Sequence, residues 1–300
     1  MTYGFVGLGH LGAKLAGSLA RAGFPLVVYD LNPQLAEPLV AAGARLAASP
    51  AEVAASCEAV VTCLPSPAVS ARVLDAMLAS PRPGLVWIEM STNDRDSILA
   101  LAEKAATHGV ATLECPVTGG VHLAATGEVT VIVGGDAALY QRHRPALAAM
   151  GNRIFHVGPL GSASVIKVIT NMLAFIHLVA AGEALMLAKR GGVDLATAFE
   201  VIRASSGNSF VHETESQLIL NGSYNINFTF DLACKDLGFA LGFGREFGVP
   251  LDLAALTEQT FIRARQAYGG AEQSTAVVRL LEDALKTDLR APGFPAELKS

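Results

Sequence analysis

The stretch Gly4-Phe5-Val6-Gly7-Leu8-Gly9-His10-Leu11-Gly12, near the amino end, decides how the rest of the chain is read. A short apolar run ends on a Gly-x-Gly-x-x-Gly turn, and residues 11–22 beyond it have the Ala/Leu content of a helix. In a strand-turn-helix setting each glycine has a physical use. Gly7 permits the tight turn, Gly9 lets backbone approach a pyrophosphate, and Gly12 lets the helix lie close on the strand. The backbone N–H groups around His10 and Leu11, at the helix start, then face the phosphates.

Asp30 follows eighteen residues after Gly12, at the end of the next apolar run. An acid there accepts hydrogen bonds from an adenosine ribose and repels the extra phosphate of NADP, so the combination implies NAD. Asp30-Leu31-Asn32-Pro33 also fits a plain turn and helix cap.

Outward from this turn, strand-like runs at residues 4–6, 26–29, 59–64, 85–89, 111–114, 129–133 and 154–156 alternate with helical stretches near 11–22, 33–42, 50–57, 67–79, 94–108 and 137–150. Such alternation is the mark of βαβ units around a mostly parallel sheet. Pro33, Pro50 and Pro67 sit where helices begin, in keeping with proline at the first helical turn. After Gly158-Pro159-Leu160-Gly161 the strand signals stop, and residues 162–190 read as one helix of roughly 40 Å at ~1.5 Å per residue. The expected architecture is an α/β Rossmann-type domain over residues 1–161, followed by an all-α domain over 162–300 joined by that helix. The helix is apolar around most of its circumference and must be covered on several sides. A homodimer or homotetramer is therefore expected. The end, Ala291-Pro292-Gly293-Phe294-Pro295, reads as an extended tail.

With 51% hydrophobic residues over 300 positions, the chain can bury the cores of two domains. Its 22 Lys and Arg are scattered against 27 Asp and Glu, which argues against a nucleic-acid partner. The richest apolar segment, residues 172–182, is short and contains His177, so no membrane partner is expected. Tyr3-Gly4-Phe5 follows the initial Met without a signal-like segment, and a cytoplasmic protein is expected. Cysteines at 57, 63, 115 and 234 form no CxxC pair and show no zinc spacing; free thiols and no metal are expected.

Three further segments carry chemistry. Glu114-Cys115-Pro116-Val117-Thr118-Gly119-Gly120 places a hydroxyl beside two glycine N–H groups, a small site for a carboxylate, although a Gly-Gly turn between strands also explains it. Lys167 and Asn171 lie four apart and share a helix face, with Lys167 the lone charge in Val165-Ile166-Lys167-Val168-Ile169. It either snorkels to solvent or performs chemistry. Asp231-Leu232-Ala233-Cys234-Lys235-Asp236-Leu237, preceded by Phe228, carries a lysine that also suits an exposed surface.

Together these segments resemble the β-hydroxyacid dehydrogenase family, which includes 3-hydroxyisobutyrate dehydrogenase and tartronate semialdehyde reductase; the likeness spans nearly the whole chain. The first segment is similar to the family's D-A-P-V-S-G-G, with Glu-Cys for Asp-Ala and Thr for Ser. The second matches G-x-x-x-x-x-K-x-x-x-N, and the third matches the K-D-L segment. The resemblance implies Lys167 and Asn171 as catalytic residues and Thr118, Gly119, Gly120, Ser91 and Asn171 around a small carboxylate substrate. It also implies Lys235, Leu64, Pro65 and Thr92 as NAD contacts beside the glycine turn. Leu123 stands where many relatives have glycine, so the substrate loop is expected to differ in shape. The implied reaction is reversible hydride transfer between nicotinamide and a small 3-hydroxy acid. An imine reductase or a non-catalytic NAD-binding protein are the alternatives, and Lys167 argues against both. Arg203, Asn208 and His212 are weaker candidates for substrate selection.

Overall fold

Alternating side chains explain why the first half of the chain forms a sheet covered on both faces. The computed structural model describes residues 1–298. Its strands are β1 (Tyr3–Val6), β2 (Leu26–Tyr29), β3 (Arg45–Leu46), β4 (Ala59–Thr62), β5 (Val86–Glu89), β6 (Ala111–Glu114), β7 (Val117–Thr118), β8 (Thr130–Gly134) and β9 (Arg153–Gly158). Phe5, Val28, Val61 and Ile88 pack into one core, while Val27, Val60 and Trp87 pack into another. The two-residue period places these sets on opposite faces, as a sheet buried by helices on both sides requires.

The strand order is β3-β2-β1-β4-β5-β6-β8-β7, with β9 beside β8. The first six are parallel; β8 runs antiparallel to β6 and β7 and parallel to β9. Because β1 lies between β2 and β4, the chain order reverses there, and the crevice beyond the carboxyl ends of β1 and β4 is where ligands bind in such sheets.

The helices of this half are α1 (Gly12–Arg21), α2 (Glu37–Ala41), α3 (Pro50–Ser56), α4 (Pro67–Met77), α5 (Arg95–Thr107), α6 (Gly120–Thr126) and α7 (Ala137–Met150). Pro50 and Pro67 open their helices, capped by the Ser49 and Ser66 hydroxyls. The expected helix over 33–42 is instead a 3-10 turn, Pro33–Ala36, followed by the short α2. Pro38 has no N–H to continue an α-helix from the preceding turn. The two-residue β3 shows no alternation to read, and both its residues are exposed.

The second half is helical: α8 (Ser162–Arg190), α9 (Leu195–Arg203), α10 (Phe210–Asn221), α11 (Phe230–Phe247), α12 (Asp252–Tyr268) and α13 (Arg279–Leu285), with a 3-10 segment at Ser274–Val278. The two compact units divide inside α8, after Lys167, six residues beyond the boundary read from sequence. In the second unit Phe175, Leu178, Leu185 and Met186 of α8 share a core with Phe230, Leu237, Phe261 and Val277. By length and hydropathy α8 is also apolar enough to cross a membrane, the same test that core helices pass. His177 and Glu183 of α8 are exposed. The tail is not extended as expected: Pro292 and Gly293 form a turn, and the segment docks, with Ala291 N–H donating to the Leu220 carbonyl at 3.0 Å and the Phe294 ring meeting Phe199 edge-on at 5.0 Å.

Candidate active site

The glycine turn sits at the carboxyl end of β1, and its three glycines face different surroundings. Gly7 has φ +95°, and a Cβ there would lie 2.3 Å from the Cys63 carbonyl oxygen. A Cβ on Gly12 would lie 2.0 Å from the Gly7 carbonyl oxygen, so α1 packs on the turn as closely as backbone allows. A Cβ on Gly9 would meet nothing within 4 Å, and no side chain caps the α1 N-terminus after Leu11. Open space beside uncapped N–H groups fits a dinucleotide pyrophosphate. His10 is exposed at the tip of the turn.

Asp30 joins both of its sequence readings. One carboxylate oxygen accepts the Leu8 N–H at 2.7 Å, bracing the glycine turn, and the other accepts the Asn32 N–H at 2.8 Å, forming the turn before Pro33. A carboxylate offers about four acceptor positions, so lone pairs remain for ribose hydroxyls.

Beyond β4 and β5 lies a buried network that holds the next two loops together. The Trp87 indole N–H donates to the Thr62 hydroxyl at 2.8 Å, and Thr62 donates to Glu89 at 2.9 Å. The other Glu89 oxygen accepts the Ser91 N–H at 2.6 Å, and the Ser91 hydroxyl oxygen accepts the Leu64 N–H at 2.7 Å. Burial pushes the Glu89 carboxyl up, partly offset by its bonds to Ser91 and Thr62. Gly7, Leu64 and Ser91 are thereby gathered: a Cβ on Gly7 would also meet the Leu64 side chain at 3.0 Å. Ser91, expected at the substrate, is buried and braces the β4 loop. In these loops Pro65 is exposed and Thr92 half-buried. Asn93, which the sequence reading passed over, is buried with both amide atoms lacking a partner among the described residues.

Thr118 ends β7, pairing with Thr130 of β8. Gly119 (φ +123°) and Gly120 (φ +88°) do not merely turn the chain between strands; they open α6. The hydroxyl and the two glycine N–H groups thus stand at a helix start that no side chain caps. Leu123 packs over Gly119, where a Cβ would meet its Cδ1 at 3.0 Å, and joins the main core. That contact is the local consequence of leucine at this position.

On α8 the exposure pattern is the inverse of an ordinary helix surface. Ile166 and Ile169 are 39% and 40% exposed, whereas Lys167 between them is 8% exposed. A lysine that only snorkelled would keep its head in water. One turn on, in the second unit, the Asn171 amide donates to Asp236 at 2.6 Å, and Lys235 donates to the other Asp236 oxygen at 2.7 Å. Lys235 also lies 4.9 Å above the Phe239 ring. Asp236, itself 1% exposed, fixes both groups; the sequence displayed it within K-D-L without revealing this use. Glu114 and Glu89, acids closing strands otherwise apolar or uncharged, carried the same unread signal.

The weaker candidates have partners within the helical unit. His212 is buried with its ring nitrogens bonded to the Phe199 carbonyl and the Ser216 hydroxyl, and Arg203 pairs with Glu200 on the surface. Asn208 donates to Glu213 at 2.6 Å. All four cysteines are free thiols, and no metal-ligating cluster occurs among the described residues.

The sequence matches the model of the NAD binding domain of 6-phosphogluconate dehydrogenase over residues 2–158, and that of the NAD-binding region of NADP-dependent 3-hydroxyisobutyrate dehydrogenase over 161–281. The chain belongs to the β-hydroxyacid dehydrogenase family. Among the family's members, L-threonate dehydrogenase of Cupriavidus necator is 35% identical over 92% of this chain and 95% of its own length. NAD-dependent L-serine dehydrogenase of Pseudomonas aeruginosa is 34% identical, covering 93% and 97%. A solved 3-hydroxyisobutyrate dehydrogenase from Salmonella typhimurium superposes with a TM-score of 0.87 at 32% identity, covering 93% of this chain and 99% of that one. This family member is accordingly an oxidoreductase of the hydroxyacid dehydrogenase type that binds NAD.

Proposed function

We propose that this dehydrogenase reversibly oxidises a small 3-hydroxy acid with NAD, using Lys167 to move the hydroxyl proton. The observation that carries the reading is the buried Lys167 flanked by exposed isoleucines on α8. NAD, when bound, supplies the hydride acceptor, and the protein supplies orientation and charge. Lys167 takes the proton from the substrate hydroxyl in oxidation and returns it in reduction. Asn171 orients the hydroxyl or the lysine, and Asp236 holds the Asn171 amide in one direction. Thr118 with the Gly119 and Gly120 amides receives the carboxylate. Thr92, Leu64, Pro65 and Lys235 are assigned to the cofactor. The substrates named for the relatives, threonate, serine and 3-hydroxyisobutyrate, share a hydroxyl and a carboxylate on a short carbon chain, which suits this assignment.

Thr118 provides the test of the substrate site. Thr118→Val keeps the side-chain volume and removes one hydrogen bond to a charged group, worth about 1.5–3 kcal/mol. KM for the hydroxy acid is expected to rise at least about tenfold with kcat little changed. An unchanged KM across threonate, serine and 3-hydroxyisobutyrate would return the Thr-Gly-Gly segment to a purely structural role.

The same reading has the enzyme working in the cytoplasm as a homodimer or homotetramer, with no membrane or nucleic-acid partner. Support comes from the exposed Ile166, Ile169 and Leu173 on one side of α8, an apolar stripe that self-association covers. Light scattering on the purified protein should read two or four chains; a monomer would contradict it.

A further inference from the structure

The N-terminus of α8 is held in an unusual way. Helices α3, α4, α5, α7, α9, α10 and α11 are each capped by a Ser, Asp or Thr immediately before them in sequence. The first turn of α8 is instead held by an acid 49 and 50 residues earlier. Glu114 accepts the Ala163 N–H at 2.9 Å on one oxygen, and the Ser164 N–H at 3.1 Å and hydroxyl at 2.7 Å on the other. These N–H groups have no partner within a helix, so the carboxylate satisfies donors that would otherwise be orphaned.

The path of that side chain is built into the sheet. Glu114 closes β6 opposite Gly134 of β8, and a Cβ on Gly134 would lie 2.2 Å from the Glu114 carboxylate. Only glycine there leaves room for the acid to reach α8. Gly161, with φ +90°, turns the chain into the helix. A central strand therefore fixes the height and rotation of the first turn of α8. Ser164 and Lys167 lie three residues apart, so they are neighbours on one helix face. A shift at residue 164 is carried through rigid helix to the Lys167 amine.

We propose that Glu114 is a positioning residue for Lys167, anchoring α8 to β6 so that the lysine amine stands where the substrate hydroxyl presents its proton. The proposal rests on the reading of Lys167 as the acid/base. Glu114→Gln keeps the shape but turns an amide N–H₂ toward N–H donors, so α8 loses part of its anchor. Ser164→Ala removes a single bond and is the milder version.

The experiment measures kcat and NAD affinity for the wild type, Glu114→Gln, Ser164→Ala, Lys167→Ala and the two doubles with Lys167→Ala. A displacement on the order of 1 Å at a reacting group costs about 10²-fold. Glu114→Gln should therefore lose about 10- to 100-fold in kcat, and Ser164→Ala less, with NAD affinity kept. In the Lys167→Ala background neither change should alter the residual turnover by more than about twofold, whereas independent sites would keep their full factors. If either keeps its full factor on top of Lys167→Ala, or Glu114→Gln folds and turns over at the wild-type rate, Glu114 does not act through Lys167. If Glu114→Gln does not fold, the Ser164→Ala cycle decides by the same criterion. A Lys167→Ala enzyme that keeps more than about a tenth of wild-type kcat overturns the acid/base reading itself, a separate and recognisable failure.

Discussion

Lys167→Ala is expected to lower kcat by about 10²–10⁴ while NAD binds as in the wild type, because a positioned acid/base contributes about that much to rate. The lysine is 8% exposed on a helix whose neighbouring isoleucines are 39% and 40% exposed within the single chain, so the fold sets this charge inward against its ordinary preference. A lysine acting as base must shed its proton near neutral pH. Lys167→Arg should fare little better than alanine, since a guanidinium keeps its proton throughout this range. Measuring kcat and NAD affinity in parallel separates loss of chemistry from loss of cofactor. An arginine variant with near wild-type turnover would place the proton path elsewhere.

The second large effect separates two glycines of the same turn. Gly9→Ala adds a methyl where nothing lies within 4 Å and where φ is not positive, so folding stability should be unchanged. That methyl enters the space assigned to the pyrophosphate, and NAD affinity should fall at least on the order of tenfold, or 1.4 kcal/mol. Gly12→Ala puts a Cβ 2.0 Å from the Gly7 carbonyl oxygen, a backbone atom that cannot swing aside. Overpacking of that kind costs about 1–3 kcal/mol, so this variant should lose thermal stability together with NAD. Calorimetric melting with and without NAD distinguishes them. If Gly9→Ala bound NAD normally, the pyrophosphate would not approach the turn at Gly9.

Much of this was legible from sequence because it is written locally. The glycine turn, the apolar strands and the helices opened by Pro50 and Pro67 depend on residues next to one another, and they lie close to where the pattern placed them. Lys167 and Asn171 could be set on one helix face for the same reason, as residues four apart; their assignment as a catalytic pair came from the family resemblance. What escaped depends on distant residues. Glu114 meets Ser164, Glu89 meets Thr62, and Asp236 meets Asn171 only once the chain is folded. Each is a single acid that sequence cannot assign to a partner. The short α6 escaped for a different reason: Gly119-Gly120 reads as a turn, and the helix it opens has only seven residues and no capping side chain to announce it.

The most direct test of the proposed reaction is NADH formation by the purified enzyme across threonate, serine, 3-hydroxyisobutyrate and glycerate, repeated with NADP. Matching alcohols that lack the carboxylate serve as controls. With Asp30 assigned to the ribose and Thr118-Gly119-Gly120 to the carboxylate, at least one hydroxy acid should be oxidised, with NAD faster than NADP and with the control alcohols inert. An enzyme that binds NAD but oxidises none of these acids, or that oxidises the control alcohols equally well, would contradict the account.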